Sequence, residues 1–404
     1  MKKLFGLLAL ALSASAFAAV PRVSDVTLRQ DAKHRAVVTY RLAEAPGIVT
    51  FDILVDGTSI GASVLTNATG DVNRLVPPTE GDAVRTIVWE PWTTWPGHKL
   101  AGGVSARVTV WPTNAPPDFL AMDLTKADCP VTYYASEAAL PWGKVWQNPV
   151  YKGDVLLMRR IHASHEIAFM GSPETEANRV AGRETRRMCT LTNDYYLAIY
   201  PTTLRHHALL RDGAAATETR LSPAIDLSYN MLRYAAGNNN NTALPINFPG
   251  TTHRTQVGGS SLLRTFRNRT GLELDLPTSA QWEFACRAGS DTPIYTHPTV
   301  SDGTMANLNY IAASYGEVGR MGCNNWYLYD MLGNVYEWCL DYFEDQITAD
   351  AVVDPLGPLS EPSIRRKIRG YHDQRIHWRS SFFSASAHLT KQTVIGYRLC
   401  ITLP

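Results

Sequence analysis

The chain is 404 residues long, which is enough for two or three domains with a sizeable buried core. Its 45% hydrophobic and 19% charged residues are typical of a globular protein, and the net charge of +1 gives no reason to expect a nucleic-acid partner or an anionic membrane surface. The 10 Trp and 18 Tyr, with 28 Gly and 24 Pro, favour a loop-rich fold with aromatic packing over a helical bundle.

The N-terminal segment has the pattern of a secretory signal. A positively charged start precedes an apolar run over residues 4–12, and the small residues Ala16 and Ala18 form a cleavage site before Ala19. The run is shorter than the roughly 20 residues that a membrane-spanning helix needs. We therefore expect residues 1–18 to be removed and the mature protein to be exported to the periplasm or the extracellular space, without a membrane span.

Residues 19–112 alternate between apolar and polar residues with the period of a β-strand. The alternation is clear in four places: at Val38, Tyr40 and Leu42, at Phe51, Ile53 and Val55, at Arg85–Trp89, and at Val104, Ala106, Val108 and Val110. Turn signals separate the strands, as at Asp56 and Gly57. The pattern predicts a small antiparallel β-sandwich, immunoglobulin-like or fibronectin-like, that serves as a spacer or docking module.

A Pro-rich break over residues 113–118 (TNAPPD) opens a linker and lead-in that we place at 113–152. Residues 153–404 are irregular, and two helices can be predicted there. One covers residues 261–269, and the other begins after Thr278, whose capping-box partner is Gln281, and stops at Gly289. This second region is expected to be one α+β domain.

The six cysteines cannot be paired from the sequence, because it does not choose among the pairings that they allow. None of them has the spacing of a zinc site. We expect buried thiols with at most one disulfide; the cysteines are Cys129, Cys189, Cys286, Cys323, Cys339 and Cys400.

Five phrases of the second region follow one another in a characteristic order. They are 169–173 (FMGSP), 190–200 (TLTNDYYLAIY), 276–285 (LPTSAQWEFA), 328–338 (LYDMLGNVYEW) and 395–399 (IGYRL). Together they resemble the formylglycine-generating (sulfatase-modifying factor) family. The resemblance implies a fold related to C-type lectins, with little regular structure, over residues 153–404. It also implies an activity, the oxygen-dependent conversion of a substrate cysteine to formylglycine.

The residues that would carry this activity are missing. The family's oxidases resemble one another in two cysteines near the C-terminus, whose thiolates bind copper(I). The matching stretch here is 368–383 (IRGYHDQRIHWRSSFF), and no cysteine occurs anywhere between Cys339 and Cys400. We therefore expect no copper site and no formylglycine synthesis, and we lean towards a protein that is not an enzyme.

Three functions remain open after this comparison. In the first, the protein is non-catalytic and binds an extracytoplasmic protein, a peptide or a glycan through Arg375, His377, Trp378 and Arg379, at the edge of the former active site. In the second, it is an oxidoreductase of the same superfamily with an altered site. In the third, it is a structural protein of a surface assembly.

The second alternative needs a transition metal. His372, Asp373 and His377 are the residue types of a two-histidine, one-carboxylate iron site. The first two are adjacent in sequence, so on a strand they would point to opposite faces. This spacing favours ordinary polar loop residues over a metal site.

The resemblance also implies a structural calcium ion at the turn within the fourth motif, residues 328–338. Its ligands would be the side chains of Asp330 and Glu337 and the carbonyls of Gly333 and Val335, which supply the oxygen donors that calcium prefers. The alternative is that the two carboxylates accept hydrogen bonds from the turn's own amides, without a metal.

Overall fold

A computed structural model describes residues 19–234, 257–295, 315–358 and 364–404. The predicted signal, residues 1–18, lies outside this part of the chain. Within the described ranges, no helix combines the length and the apolar character that a bilayer crossing requires.

The first part of the chain is built almost entirely of strands. Its elements are β1 (Arg22–Gln30), β2 (Ala36–Ala43), β3 (Gly47–Val55), β4 (Thr58–Ser59), β5 (Thr69–Gly70), β6 (Leu75–Val76), β7 (Arg85–Trp89), the short helix α1 (Pro91–Thr94) and β8 (Val104–Trp111). One sheet has the order β1-β2-β7-β5, and in a second sheet β3 pairs with β4, β6 and β8. The pairings in both sheets are antiparallel.

The two sheets share one hydrophobic core. Val38 and Tyr40 of β2 and Trp89 of β7 pack in the same buried cluster as Val49 and Ile53 of the second sheet. Period-two alternation places these side chains on the inner faces, where each is 1% exposed or less. The strands predicted at these positions are confirmed, whereas the immunoglobulin-like or fibronectin-like topology stays a prediction.

The second part mixes short strands with five helices among the described residues. Its elements are β9 (Phe119–Asp123), β10 (Val131–Tyr134), α2 (Val150–Gly153), β11 (Val155–Ile161), β12 (Glu166–Met170), β13 (Arg187–Leu191), β14 (Tyr195–Ala198), α3 (Leu204–Asp212), α4 (Tyr229–Arg233), α5 (Leu262–Thr270), α6 (Ser279–Arg287), β15 (Tyr336–Tyr342), β16 (Val352–Val353), β17 (Arg365–Arg369), β18 (Ser384–Ala387), β19 (Ile395–Gly396) and β20 (Cys400–Thr402).

The central sheet of this part has the order β10-β9-β11-β14-β20 and is covered on both faces. Leu156 and Met158 of β11 join one hydrophobic cluster, while Val155 and Leu157 of the same strand join another. Because neighbouring side chains of a strand point to opposite faces, each of the two clusters covers one face of the sheet.

Both predicted helices are present, as α5 and α6. The side chain of Thr278 accepts a hydrogen bond from the backbone of Gln281, whose side chain bonds back to the Thr278 backbone, so the predicted capping box is complete. At the other end, Ala288 and Gly289 have φ of 45° and 84°. This left-handed backbone ends the helix next to the glycine that the sequence indicated.

Two small sheets position the C-terminal segments. One has the order β18-β17-β15-β19 and the other β12-β13-β16. Helix α6 lies against both, because Glu283 on this helix accepts hydrogen bonds from Gly171, just after β12, and from Arg369 at the end of β17.

Candidate functional site

All six cysteines lie in the described residues and all are free thiols, five of them buried and Cys323 half-buried. The two that border the cysteine-free stretch lie in the hydrophobic core, where Cys339 Sγ contacts the Glu337 carbonyl at 3.9 Å and Cys400 Sγ contacts Gln281 Oε1 at 3.8 Å. Burial raises the pKa of both thiols well above its ordinary value. The prediction of buried thiols is confirmed for five of the six cysteines, and burial disfavours the thiolate form of Cys339 and Cys400.

The stretch that replaces the cysteine pair carries a cluster of rings. The rings of His372 and His377 are 4.6 Å apart, and His377 stacks on Phe382 at 4.7 Å. Tyr371 meets Tyr336 of β15 edge-on at 5.4 Å. We call the half-exposed set Tyr371, His372 and His377 the histidine face.

Two of the predicted contact residues lie beneath this face. Trp378 is 1% exposed, and its indole Nε1 donates to the His372 carbonyl at 2.7 Å. Arg379 is also 1% exposed, so in this structure neither side chain can touch a ligand from solvent. The side chain of Arg375 lies outside the described part of the chain. Of the four predicted contact residues, His377 is the one that the structure places at the surface.

Arg379 is buried because two carboxylates reach it from a distant segment. Its Nη1 and Nη2 donate to both oxygens of Glu184 at 2.5 and 2.6 Å, and Nη1 also donates to Glu176 at 2.6 Å. Burial alone would lower the pKa of Arg379, but the two carboxylates outweigh it and raise that pKa. Burial raises the pKa of Glu176. The positive charge that the sequence offered to a ligand is thus neutralised inside the protein.

The histidine face itself is uncharged near neutral pH. Burial lowers the pKa of His372, and burial together with the neighbouring His372 and Arg379 lowers that of His377. Asp373, which adjoins the face, is exposed. A face of two neutral imidazoles and one phenol suits an uncharged ligand with apolar or hydroxyl-bearing surfaces.

The expectation that His372 and Asp373 point apart does not apply, because they lie in an irregular segment and not on a strand. His372 Nδ1 and Asp373 Oδ1 are 2.7 Å apart. Among the described residues, no group of three or more His, Cys, Asp or Glu side chains could hold a metal ion. The iron alternative therefore gains no support from this cluster.

At the predicted calcium turn, the two carboxylates differ. Glu337 is fully buried, and its oxygens accept hydrogen bonds from the Arg398 guanidinium at 2.7 Å and from the Trp282 indole at 2.7 Å. Asp330 accepts the amides of Gly319 at 2.8 Å and Asn334 at 3.3 Å, both at Oδ2. In this position Glu337 is paired with the Arg398 guanidinium. A calcium ion at the turn would have to bind the same carboxylate oxygens.

Burial raises the pKa of Asp330, and the nearby charge of Glu337 adds to this increase while Arg398 opposes it. A cation beside Asp330 would offset the cost of burying that charge. The Gly333 carbonyl accepts the backbone N–H of Val335 at 2.8 Å. The two predicted carboxylate ligands therefore fit calcium only in part, and calcium binding stays a prediction.

A second buried charge network was not predicted from the sequence. Glu283 of α6 pairs with Arg287 at 2.8 Å and with Arg369 at 2.9 Å, and all three are nearly inaccessible to solvent. Arg369 also donates to the carbonyl of Ser380 at 3.0 Å. The only signal in the sequence is a charged residue inside an apolar motif, as Glu283 is in 276–285.

Residues 194–403, about half of the chain, match the family described as the sulfatase-modifying factor enzyme 1-like domain. Among curated proteins, the chain is similar to the serine/threonine-protein kinase Pkn1 of Chlamydia trachomatis serovar L2, with 32% identity over 24% of this chain and 15% of the kinase. It is also similar to the formylglycine-generating enzyme of Mycobacterium tuberculosis, with 28% identity over 32% of this chain and 51% of that enzyme.

The chain thus spans about half or less of the length of these curated relatives. Among solved structures, it is similar to Treponema denticola variable protein 1, with a TM-score of 0.45 and 18% identity over 62% of this chain and 96% of that one. PvdO from Pseudomonas aeruginosa has a TM-score of 0.41 and 19% identity over 61% of this chain and 95% of its own.

Proposed function

The chain belongs to the sulfatase-modifying factor enzyme 1-like domain family, and on that premise we propose that it is a non-catalytic member, which binds a peptide or a glycan outside the cytoplasm. The observation that carries the proposal is the state of the sulfur atoms. The stretch between Cys339 and Cys400 has no cysteine, and those two thiols are buried with raised pKa values. A thiol oxidase needs reactive thiolates, and neither of these two is one.

The histidine face is the proposed binding surface. Its three rings are half-exposed, and Trp378 and Arg379 hold the backbone beneath them through the contacts given above. Because Arg379 is neutralised by Glu184 and Glu176, the face offers rings and neutral nitrogens in place of a fixed charge. Such a surface favours ring stacking against a sugar or an aromatic peptide side chain.

The finer features of the protein form part of the same proposal. Export follows from the signal pattern of residues 1–18. The first two sheets would form an immunoglobulin-like or fibronectin-like spacer over residues 19–112, and residues 153–404 would have a fold related to C-type lectins. A spacer of this kind would present the binding domain to an extracytoplasmic partner.

Glycan and peptide arrays probed with the purified full chain test the proposal. We expect the affinity for the ligand found on the array to fall by about tenfold or more in His377→Ala, because the variant lacks the imidazole ring of the binding surface. His98→Ala is the matched control, since His98 is an exposed histidine of the first part of the chain. Equal binding by His377→Ala and the native chain, or no array signal at all, would overturn the assignment.

The catalytic alternative is tested separately. A cysteine-containing peptide incubated with the protein, copper(I) and oxygen should keep its mass, because the stretch between Cys339 and Cys400 has no cysteine and these two thiols are buried with raised pKa values. Conversion of the peptide cysteine to an aldehyde, detected by mass spectrometry, would refute the non-catalytic assignment.

A further inference from the structure

A cleft of about 400 Å³ lies between the second sheet of the first part and the chain that follows β10. It is far from the histidine face in sequence and shares no residue with it. Its floor is the outer face of β3 and β8, and Ser136 and Ala139 border it from the other side. A volume of this size is within the range of small-molecule sites.

The floor is polar because of the strand register. Thr50 and Asp52 of β3 lie directly opposite Thr109 and Arg107 of β8. Residues paired in this way share one face of an antiparallel sheet, and their neighbours Val49 and Val108 face the core. The outer face thus presents two hydroxyls, a carboxylate and a guanidinium in one plane.

These floor groups are held in place by one another. Arg107 Nη2 is 2.9 Å from Asp52 Oδ2, and the Ser59 hydroxyl donates to the other Asp52 oxygen at 2.9 Å. The Trp111 indole donates to Thr50 Oγ1 at 2.9 Å, which fixes its half-exposed ring at one end of the floor. The carboxylate and the guanidinium cancel each other's charge, so the cleft has hydrogen-bonding capacity without net charge.

The other wall comes from the second part of the chain. Tyr133 of β10 donates its backbone N–H to the carbonyl of Asn73 at 2.8 Å, which ties this wall to the first part. Ser136 lines the cleft and precedes a short 3-10 turn. Its side chain makes no capping hydrogen bond to that turn. The two halves of the chain therefore build the cleft together.

We propose that this cleft binds a neutral, polyhydroxylated small molecule of the size of a monosaccharide or disaccharide. Adjacent hydroxyls of a sugar each donate and accept, and Asp52 accepts while Arg107 donates. Thr109 and Ser136 can do either, and the Trp111 ring provides an apolar surface for the C–H face of a sugar ring. A charged ligand would compete with the Asp52–Arg107 pair and leave one of its members unpaired.

The proposal is tested by measuring sugar binding to the full chain with saturation-transfer NMR and tryptophan fluorescence. The sugars are glucose, galactose, mannose and maltose. We expect at least one of these sugars to bind, with affinity reduced by about tenfold or more in Asp52→Asn and Arg107→Met, since each removes a charge-assisted hydrogen bond. Glucuronate should bind more weakly than glucose, because its carboxylate would compete with Asp52 for Arg107 and leave Asp52 unpaired.

Arg35→Met is the control, because Arg35 forms a comparable pair with Asp31, at 2.8 Å, outside the cleft. Its sugar binding should equal that of the native chain. Circular dichroism verifies that each variant is folded. No binding by any of the four sugars, unchanged binding in both cleft variants, or tighter binding of glucuronate would each overturn the proposal.

Discussion

Arg379 is buried with carboxylates that come from a distant part of the chain. Glu184 is 195 residues away in sequence, yet it accepts two hydrogen bonds from the same guanidinium and one from the Ser381 hydroxyl. Burying a lone carboxylate costs several kcal/mol, and a bidentate arginine offsets this cost only in one geometry. The pair therefore fixes the position of the segment that carries the histidine face.

We expect Arg379→Ala to lower the free energy of unfolding by about 3–5 kcal/mol, because it leaves Glu184 and Glu176 buried without their cation. Arg379→Lys should lower it by less, since it keeps the charge but not the bidentate geometry. Urea denaturation measures both changes. Arg211→Ala is the control: Arg211 pairs with Asp212 at 2.6 Å on the surface, and exposed pairs contribute about 0–1 kcal/mol. Equal losses for Arg379→Ala and Arg211→Ala would contradict the role given to Arg379.

The partners of such buried charges could not be predicted from the sequence. Arg379 follows Trp378 in an apparently polar stretch, and nothing local indicates that residues near 176–184 will cover it. Surface exposure was the natural expectation, because Arg and Glu are rarely buried unless they are paired. Recognising the pair requires the three-dimensional contact.

At the scale of elements, the helices with strong end signals were predictable. Helix α6 has its capping box and a glycine just beyond its end, and α5 has the N-cap Ser261. Helix α3 was not predicted, because its buried face includes His206 and His207 and so lacks a clear apolar period. Helix α4 has only five residues, too few for the period to show.

The turn between Asp330 and Glu337 carries a prediction on calcium. We propose that calcium binds beside Asp330, and we expect its addition to EDTA-treated protein to raise the thermal midpoint by a few degrees, since a ligand that binds only the folded state stabilises it. Asp330→Asn should remove this rise. Asp345→Asn should not, because Asp345 pairs with Arg183 on the surface. An unchanged midpoint in the native chain would contradict calcium binding beside Asp330.

At the scale of the whole molecule, strand alternation predicted the first part well, and motif order predicted the family of the second. The sequence indicated where β2, β3, β7 and β8 lie, because one face of each is buried. It did not indicate that β9 and β11 form a sheet buried on both faces, since such strands read as continuous apolar runs. The cleft between the two parts also depends on their packing, which no local pattern specifies.

The response of the whole fold to acid should come first from two buried histidines. Burial lowers the pKa of His206, and likewise that of His207, to about 4. The charged neighbours Asp154 and Arg205 act in opposite directions on His206, as Asp212 and Arg211 do on His207, so burial dominates. In the unfolded chain both histidines should titrate near pH 6.5, about the model-peptide value.

Because the unfolded state binds these protons at higher pH than the folded state does, the contribution of the two histidines to the free energy of unfolding is constant above about pH 6.5 and falls as the pH decreases towards about 4. The loss is about 3 kcal/mol for each histidine. Buried carboxylates with lowered pKa, such as Glu184 and Asp194, add their losses only at more acidic pH. Asp330 and Glu176, whose pKa values are raised by burial, release protons on unfolding and act in the opposite direction. The slope between about pH 6.5 and 5 is therefore the histidine loss less this carboxyl contribution.

Urea denaturation across that interval measures the slope of unfolding free energy against pH. We expect the double variant His206→Gln with His207→Gln to have a markedly shallower slope than the native chain, whatever its absolute stability, because it removes two of the groups that take up protons on unfolding. His98→Gln should keep the native slope, since His98 is exposed. If the double variant has the same slope as the native chain, other groups take up the protons on unfolding. Helix α3 would then have no part in the acid response.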